Sequence, residues 1–482
     1  MKAKGSVWIC VFGLFAFGAV LHPGAAAEKA APGRIECDLT EVSVFQLDER
    51  NLLHGQRVEC GTQPCEEVRA YPKLASKRPL YGVAEFDKSY YSRKPGLKFA
   101  FVIDESAGTG NGYDRLVFDL NRDGDLTNDS PVGVLRDTPE VAMIPYKLKQ
   151  AVCFNCLDVP FDFGKKDGTR TLRVLPRVME WEGGSTAMYF LATSARKGRI
   201  AIGKRRYEVV LAQAHTITGR FDRRETRLEL TDVTGGGLRR HGWWGSDKLS
   251  HMRPIDGTWY RFSATPTGSK FFAEPHRGEL GLLKVGAGGR KVDKLAMCGS
   301  LSAPDRAVPV GDLSVPDSEG RVRETSMWPK DVQEMLLPVG DYFPAYITCQ
   351  LGRLKINVSN NYHSDGKPRS RTGLPPVCGI RIRKGKPFVL DFSNEPVVLF
   401  ASPAEGARFK AGQEVKVAAV LVDPVLDVMI RGLEDTSRKV KVEREDRGGR
   451  KYSYETSLSL DPKVVVTDPS GKRVAEGVLP FG

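Results

Sequence analysis

The sequence lacks most of the patterns that name a reaction or a membrane-spanning protein. It has no HExxH pattern, which excludes the common zinc-metalloprotease helix. After the N-terminal leader, no stretch approaches the run of about 18 consecutive apolar residues typical of a transmembrane helix. Long amphipathic helical patterns are nearly absent, which argues against a helical fold. The chemistry of the chain must therefore be sought in short loops between strands.

The N-terminus has the composition of a secretion signal. Lys2 and Lys4 supply positive charge, residues 7–21 are apolar, and residues 25–27 are three alanines suited to cleavage. We expect a signal peptide over residues 1–27. The mature chain is expected to have no transmembrane segment and to be exported to the periplasm, cell envelope or extracellular space.

Cysteine usage bears on the compartment. The chain has nine cysteines, and Cys10 lies in the leader, which leaves an even number in the mature protein. An even number in an exported chain predicts disulfides, although their connectivity does not follow from the sequence. Local pairs are expected within two groups, Cys37/Cys60/Cys65 and Cys298/Cys349/Cys378.

Cys153 and Cys156 form a lone CxxC pattern. A thioredoxin-type site would place this pattern at a strand-to-helix junction, which the sequence does not indicate. A zinc site shared with Cys60 and Cys65 is the alternative to a structural disulfide, and export favours the disulfide.

The chain is basic, with a formal net charge of +13 at neutral pH. The basic residues are scattered along the chain rather than gathered in one tract. Such a surface attracts anionic polysaccharide or other anionic envelope components. A solvated basic face without a specific partner is the other interpretation. Nucleic acid is not an expected partner.

Most segments that can be interpreted are short strands rich in aromatic and β-branched residues. We predict strands over residues 97–104, 115–120, 171–181, 206–211 and 227–233. Hairpins are predicted for residues 259–265 with 270–273, 379–383 with 387–392, and 463–467 with 473–478. One short helix is expected over residues 331–336. The predicted fold class is all-β and multi-domain, with stacked β-sandwich or small-barrel modules.

A chain of this length exceeds a single hydrophobic core, so several domains are expected. The predicted division after the signal peptide is a Cys-bearing segment at 28–80, a β domain with an acidic loop at 81–200, a second β unit at 201–290, a β-sandwich-like domain at 291–394, and an immunoglobulin-like β-sandwich at 395–482.

Residues 119–129 have the pattern of a calcium loop, D-x-N-x-D-G-D. Oxygen ligands at every second residue can surround one hard cation, and glycine at the sixth position permits the sharp turn. The predicted ligands are the side chains of Asp119, Asn121 and Asp123, the backbone carbonyl of Asp125 and the carboxylate of Asp129. The predicted cofactor is Ca²⁺, bound with a Kd of roughly 0.1–1 mM. An Asn/Asp/Gly-rich turn without metal is the alternative.

The loop differs from an EF-hand at its end. Ser130 stands where an EF-hand has its bidentate glutamate, and Asp129 is one position earlier. The preceding residues predict a strand, and Pro131 disfavours a following helix. We therefore interpret the segment as an EF-hand-like loop between strands.

Residues 214–225 align with this loop when Gly219 is matched to the turn glycine. Ala214, Thr216 and Thr218 then stand at three ligand positions, while Glu225 keeps an acid at the twelfth. The alignment indicates either a repeat that has kept the turn and lost the ion, or a chance match.

Residues 241–245, with the sequence HGWWG, place adjacent tryptophans on a glycine-flanked loop. Such rings stack on sugars, although aromatic residues in these positions more often cover a sandwich core. This loop and the basic surface support the alternative function, a carbohydrate-binding or polysaccharide-acting protein. Catalytic carboxylates cannot be selected from the sequence, because their separation is spatial.

Several short motifs resemble uncharacterised exported β-rich proteins of planctomycete-type bacteria that carry a DxNxDGD, EF-hand- or dockerin-like calcium loop. The motifs are PLYG at 79–82, GYDRL at 112–116, GTWY at 257–260, PTGSK at 266–270 and PVGDY at 338–342. The resemblance implies an exported, multi-domain β protein with a calcium-type loop, and it assigns no catalytic residues. In such proteins the second unit often keeps an acidic loop, from which Ala214, Thr216 and Thr218 depart.

These features predict a non-enzymatic, exported calcium-binding structural or interaction protein. The ion is expected to stabilise a loop between strands, and the β-sandwiches are expected to act as spacer or adhesive modules.

Overall fold

The computed structural model describes residues 33–47, 55–88, 95–109, 112–136, 148–165, 168–181, 185–234, 247–311, 331–359, 379–403, 406–410, 412–445 and 451–481. The predicted signal peptide at 1–27, Cys10, Cys378 and the HGWWG loop lie outside these ranges. The described residues form strands and one 3₁₀ turn, η1 (Val44–Gln46), and include no α-helix. Within these ranges, no helix has the length and hydrophobicity needed to cross a membrane.

Most strands are short, and they follow one another through the described residues. Those of the first half are β1 (Ile35–Asp38), β2 (Thr40–Ser43), β3 (Gln56–Glu59), β4 (Leu80–Phe86), β5 (Leu97–Asp104), β6 (Arg115–Phe118), β7 (Val132–Gly133), β8 (Leu148–Cys153), β9 (Leu157–Asp162), β10 (Thr169–Trp181), β11 (Thr186–Ala192), β12 (Ser194–Ile202), β13 (Arg205–Ala212), β14 (Arg227–Asp232) and β15 (Asp247–Lys248). Those of the second half are β16 (Arg253–Ile255), β17 (Thr258–Ala264), β18 (Lys270–Pro275), β19 (Leu280–Gly286), β20 (Leu295–Ser302), β21 (Ala307–Val310), β22 (Glu334–Pro338), β23 (Gly340–Leu351), β24 (Leu354–Ser359), β25 (Ile380–Ile382), β26 (Phe388–Asp391), β27 (Val397–Ser402), β28 (Ala418–Asp423), β29 (Val428–Glu445), β30 (Lys451–Ser459), β31 (Lys463–Thr467) and β32 (Arg473–Val478).

The first sandwich carries the acidic loop. Its four-stranded sheet has the order β4-β5-β6-β7, and its five-stranded sheet has the order β3-β11-β10-β8 with β9 also pairing with β10. Between them lies a core rich in phenylalanine: Phe86, Phe99, Phe101, Phe118, Phe154, Phe161 and Phe190. Each such ring contributes about 2–3 kcal/mol by leaving water, so this core fixes the sheet from which the loop emerges.

The outer face of the four-stranded sheet is covered by a segment without regular structure, residues 61–79, which we call the strap. Val102 and Val117 of the sheet pack with Val68 and Tyr71 of the strap and with Leu126 of the acidic loop. Strand β5 is therefore buried on both faces over most of its length. This double burial explains its continuous apolar sequence.

A buried carboxylate holds the end of the strap. Asp104, at the end of β5, is 0% exposed. Its carboxylate accepts hydrogen bonds from the backbone N–H groups of Ala75 at 3.0 Å and Ser76 at 2.7 Å. The guanidinium of Arg115 lies 3.5 Å from the same carboxylate. These partners satisfy a charge that would otherwise be costly to bury.

The second sandwich packs the sheet β15-β14-β13-β12-β2 on the sheet β1-β18-β17-β16. Its core includes Tyr207, Leu211, Phe262 and Phe271. A smaller cluster with Leu175, Leu191 and Val210 joins this sandwich to the first one. The two sandwiches are thus stacked through a continuous apolar contact.

The third sandwich packs the three-stranded sheet β22-β19-β26 on a nine-stranded sheet that runs from β21 to β27. The predicted C-terminal immunoglobulin-like region is represented by β27–β30 and the two-stranded sheet β31-β32. Of these strands, β29 also pairs with β24, across the predicted boundary at residue 394. The domain division stays a prediction.

The all-β prediction is confirmed, and the sheets are open rather than closed into barrels. The predicted helix over residues 331–336 is wrong. Val332 bridges to Met297, and Glu334–Pro338 forms β22, which pairs with β19. The hairpin predicted over residues 379–392 is also wrong as a two-stranded ladder, because β25 pairs with β23 and β26 pairs with β19.

Candidate metal centre

The acidic loop begins where β6 ends. The backbone N–H of Asp119 donates to the carbonyl of Ala100 in β5 at 2.9 Å, and the Asp119 side chain is buried. Its Oδ1 accepts from the N–H of Asp123 at 3.1 Å, and its Oδ2 accepts from the N–H of Gly124 at 3.0 Å. Asp119 thus joins the first position of the loop to its fifth and sixth positions.

Three further side chains bind back onto the loop backbone. Asn121 Oδ1 accepts from the N–H of Asp123 at 2.9 Å, Asp123 Oδ1 from the N–H of Asp125 at 2.8 Å, and Asp125 Oδ1 from the N–H of Thr127 at 2.9 Å. Each contact is an Asx-type turn, in which a short side chain binds the backbone two residues later. The alternate-residue pattern of the sequence is therefore realised as a series of linked turns.

Glycine is required at the sixth position for two reasons. Gly124 has a φ of +74°, a left-handed conformation that glycine adopts without strain. A Cβ at this position would lie 2.8 Å from the backbone oxygen of Glu67 in the strap. Any other residue would therefore be strained in itself and would push the strap away.

The loop is bonded directly to the strap. The N–H of Arg69 donates to the carbonyl of Gly124 at 2.7 Å, and the N–H of Leu126 donates to the carbonyl of Ala70 at 3.0 Å. The Arg69 guanidinium donates to the carbonyl of Asp123 at 2.6 Å. The shape of the loop therefore determines where the strap lies on the sheet.

One carboxylate oxygen of Asp129 is buried without a compensating partner among the described residues. Its Oδ2 is fully enclosed and has no hydrogen-bond partner in the described part of the chain. Burial, followed by the negative charges of Asp119, Asp123 and Asp125, raises the pKa of Asp129, while the backbone N–H of Leu120 acts in the opposite direction. An enclosed carboxylate oxygen near other carboxylates is unfavourable unless a positive charge compensates it.

Part of the negative charge is compensated by amides. Asn128 Nδ2 donates to Asp123 Oδ2 at 2.8 Å, and Asn121 Nδ2 donates to the same oxygen at 3.2 Å. The hydrogen bond from Asn128 is the main reason why the pKa of Asp123 is lowered. Sequence reasoning missed Asn128 because it stands outside the alternating ligand positions. Its proximity to Asp123 arises only when the loop closes.

In the described ranges, no group of three or more His, Cys, Asp or Glu side chains is arranged as a metal site. The carboxylates of the loop instead accept hydrogen bonds from its own backbone and amides. The donors are nevertheless all oxygen, which is the set that Ca²⁺ prefers, and nitrogen and sulfur ligands of softer metals are missing from the loop. The enclosed oxygen of Asp129 is also what a cation would require, so the residues fit calcium.

A second loop, residues 213–226, repeats the closing contact with a neutral side chain. Gln213 follows β13, and its Oε1 accepts from the N–H of Thr218 at 2.8 Å and from that of Gly219 at 3.0 Å. Asp119 binds the corresponding two N–H groups in the first loop. The alignment of Ala214 with Asp119 is therefore wrong by one residue, because this loop has one more residue before its glycine.

In the second loop, neutral side chains donate hydrogen bonds at the place where the first loop has carboxylates. The carbonyl of Arg220, which follows the turn glycine, accepts from Gln213 Nε2 at 2.7 Å, Thr218 Oγ1 at 2.9 Å and Thr226 Oγ1 at 3.3 Å. In the first loop the corresponding carbonyl belongs to Asp125, a predicted ligand. The second loop thus satisfies this carbonyl with neutral groups.

Among the described cysteines, none of the predicted disulfides is formed, and the expected pairs with Cys378 lie outside the described residues. The seven described cysteines are free thiols, namely Cys37, Cys60, Cys65, Cys153, Cys156, Cys298 and Cys349. The register explains this for one expected pair, because Cys298 lies opposite Thr348 while Cys349 lies opposite Met297. Successive residues of a strand point to opposite faces, so these two thiols lie on different sides of their sheet.

The CxxC pattern lies at a break between β8 and β9, both of which pair with β10. Burial raises the pKa of the Cys153 and Cys156 thiols. Redox-active and nucleophilic cysteines have a lowered pKa instead. The surroundings of this pair therefore favour neutral, unreactive thiols.

A cleft of about 1070 Å³ opens beside β2, β10 and the second loop. Its two carboxylates are both paired, Glu41 with Arg196 at 2.9 Å and Asp158 with Arg173 at 3.8 Å. The cleft therefore offers an ion-paired wall rather than a pair of free acids.

Comparison with protein-family models, curated proteins and solved structures gave no match to this chain. The resemblance to exported proteins of planctomycete-type bacteria stays an expectation from the sequence motifs. Function must be inferred from the geometry of the loop and of the surfaces around it.

Proposed function

We propose that this chain is an exported calcium-binding structural or interaction protein of the cell envelope or extracellular space. One ion stabilises the loop between β6 and β7. The observation that supports this most directly is the enclosed, unpartnered Oδ2 of Asp129, whose pKa is raised by burial and by neighbouring acids.

The ligands would come from five residues of one loop. They are the side chains of Asp119, Asn121, Asp123 and Asp129 and the backbone carbonyl of Asp125. Bound calcium supplies positive charge among oxygen ligands. It would relieve the repulsion among the carboxylates and leave the backbone of the loop free to hold the strap.

The role of the ion is structural, because the loop that it stabilises is bonded to the strap and packs on the four-stranded sheet. Gly124 and Leu126 bond to Arg69 and Ala70 of the strap, and the side chain of Leu126 is fully buried. A change in the conformation of the loop therefore also changes the position of the strap on the four-stranded sheet.

Calcium titration of the chelator-treated chain by calorimetry tests the proposal. We expect one ion per chain with a Kd of roughly 0.1–1 mM, and a loss of affinity of about tenfold or more in Asp123→Ala, because charged ligands dominate such sites. Asp468→Ala is the matched control. Asp468 also accepts two backbone N–H groups at 2.9 Å, in the turn between β31 and β32. The proposal fails if the wild-type chain binds no calcium at about 10 mM, well above that Kd range.

Export is tested separately. Expressed with its leader in a bacterial host, the chain is expected to lose residues 1–27 and to leave the cytoplasm. Mass spectrometry of the mature chain and cell fractionation check this. An uncleaved chain that stays in the cytoplasm would contradict export and leave calcium binding untouched.

A further inference from the structure

One row of side chains crosses the five-stranded sheet of the first sandwich, on the face turned away from the phenylalanine core. The register places Arg57 of β3 opposite Tyr189 of β11, Tyr189 opposite Arg177 of β10, and Arg177 opposite Cys153 of β8. Residues opposite each other in neighbouring antiparallel strands share a face. Trp181 of β10 lies on the same face, since its ring centroid is 6.2 Å from that of Tyr189.

Arg177 is a cation with a buried stem. The residue is only 8% exposed. In the described part of the chain its guanidinium forms no ion pair. Its neighbours are the Tyr189 ring, whose centroid is 5.9 Å from Cζ, and the Cys153 thiol. Burial lowers the pKa of this guanidinium, and the Cys153 side chain next to it belongs to the apolar cluster between the two sandwiches.

The neighbours of Arg177 do not supply negative charge. Burial raises the pKa of the Cys153 thiol and of the Tyr189 phenol, so both are neutral at physiological pH. Two acids of the same sheet are already paired, Glu59 with Arg57 and Glu180 with Lys149, each at 2.8 Å. The guanidinium is thus held in place with its hydrogen-bond donors uncommitted.

A held guanidinium is a good anion receptor for two reasons. Its planar fork matches carboxylate and sulfate oxygens, to which it donates paired hydrogen bonds. Its rotamer entropy is already lost through packing of the stem, so binding an anion requires little further ordering. Arg177 therefore has the properties of a prepared site rather than of a flexible surface charge.

Two aromatic rings flank this receptor. The Trp181 and Tyr189 rings are 6.2 Å apart with an angle of 59° between them. The Arg57 guanidinium lies 5.7 Å from the Trp181 ring, and its charge is balanced by Glu59, its ion-pair partner at 2.8 Å. The rings provide apolar contact beside the charge, as in sites for ligands that are both polar and carbon-rich. Their mutual tilt makes a poor platform for the successive parallel bases of a nucleic acid.

We propose that this face binds an acidic saccharide. Arg177 holds a carboxylate or sulfate group, and a sugar ring packs against Tyr189 and Trp181. The net charge of +13 raises the encounter rate with such polyanions. The site does not depend on the calcium loop, which lies on the other sheet of the sandwich.

The test is the affinity of the full chain for polygalacturonate and for dextran sulfate, with dextran as the neutral comparison, measured in calcium and in chelator. The variant is Arg177→Met, which keeps the buried stem and removes the charge. Arg173→Met is the matched control, since it removes the same charge from the same strand at a side chain that is 67% exposed.

Arg177→Met is expected to weaken binding to at least one of the two acidic polymers by about tenfold or more. Arg173→Met is expected to weaken it by less than about twofold. The two polymers separate a carboxylate ligand from a sulfate ligand. Binding that is equal in calcium and chelator separates this site from the loop.

Equal losses in the two variants would reveal diffuse electrostatic attraction and overturn the proposal. Wild-type binding to neither polymer would also overturn it, and so would binding of single-stranded DNA alone. Thermal melts without ligand check the fold of each variant. If Arg177→Met does not fold, Trp181→Ala near the end of β10 takes its place, and unchanged affinity in that variant overturns the proposal.

Discussion

Calcium removal is expected to loosen the acidic loop and the strap before the rest of the first sandwich. With free calcium at about 10 mM and a Kd of about 0.1–1 mM, binding stabilises the folded loop by about 1.4–2.7 kcal/mol. Local opening of the loop and strap should therefore become roughly 10- to 100-fold more frequent in chelator. The core of the third sandwich contains no residue of the loop or the strap, so its opening should change little.

The variant Asp129→Asn is a specific test, because it should change the stability of the loop in opposite directions with and without calcium. A raised pKa means that protonated Asp129 stabilises the folded state at acid pH, and that this contribution is lost as the pH rises through the raised pKa. At neutral pH the metal-free loop therefore carries an unfavourable charge, which asparagine removes. We expect the variant to be at least as stable as wild type in chelator and less stable in calcium.

Hydrogen exchange with mass spectrometry measures both effects. Peptides from the strap and from residues 119–129 should exchange faster in chelator, and calcium should slow them in wild type but not in Asp129→Asn. Peptides from β19 and β22, in the third sandwich, serve as the internal comparison. The reasoning is refuted if calcium leaves strap exchange unchanged, or if the variant keeps full calcium protection.

Three further substitutions test the packing around the loops. Gly124→Ala should destabilise the chain by about 1–3 kcal/mol more than Gly112→Ala. Both glycines have positive φ, but only Gly124 has backbone within contact distance of a new Cβ. Urea unfolding of both variants measures the difference, and equal losses of stability would contradict the close approach of the strap. Gln213→Glu should destabilise the second loop by about 1–3 kcal/mol in chelator, since a carboxylate replaces the amide that donates to the Arg220 carbonyl. Thermal melts should show partial recovery of stability in calcium. If the variant melts at the wild-type temperature in chelator, the amide does not have this role. Asp104→Asn should cost about 1–3 kcal/mol and speed cleavage of the strap by trypsin, because one of its two backbone donors loses its acceptor; unchanged cleavage would mean that the strap is held elsewhere.

The parts of the fold that could be predicted from the sequence are those with local signals. The predicted strand over residues 97–104 coincides with β5, because its apolar and aromatic run has sharp polar ends. The predicted hairpin at 463–467 and 473–478 coincides with β31 and β32, because Asp468 and Gly471 define the turn between them. In each case neighbouring residues carry the whole signal.

Pairing between distant strands could not be predicted in this way. Residues 379–392 contain two strands and a turn, but the strands pair in different sheets, with β23 and with β19. Residues 331–336 are predicted as a short helix, but residues 334–338 form β22, which pairs with β19. Such outcomes depend on partners that no local window contains.

The candidate site shows the same division. Spacing alone selects Asp119, Asn121 and Asp123 as predicted ligands, because calcium loops place ligands at alternate residues, and calcium binding by them stays a prediction. It missed Asn128 and Gln213, since amides fall outside an acidic pattern even where they take over the same hydrogen bonds. It also gave no information on the strap, because a loop motif does not specify what the loop packs against.

The N-terminal strands have a consequence for how the chain reaches its fold. Strands β1, β2 and β3 pair with β18, β12 and β11, so residues 35–59 complete three separate sheets. The ion pair between Glu36 and Lys270 spans 234 residues. Contacts between residues so far apart in the sequence form slowly, because the entropy of closing a long loop is lost before the contacts stabilise the fold. During synthesis from the N-terminus, β3 must wait for β11 of the first sandwich, and β1 and β2 must wait for β18 and β12 of the second. The chain should therefore fold late and as a whole, and during that wait its unpaired strands are the segments most in need of a chaperone.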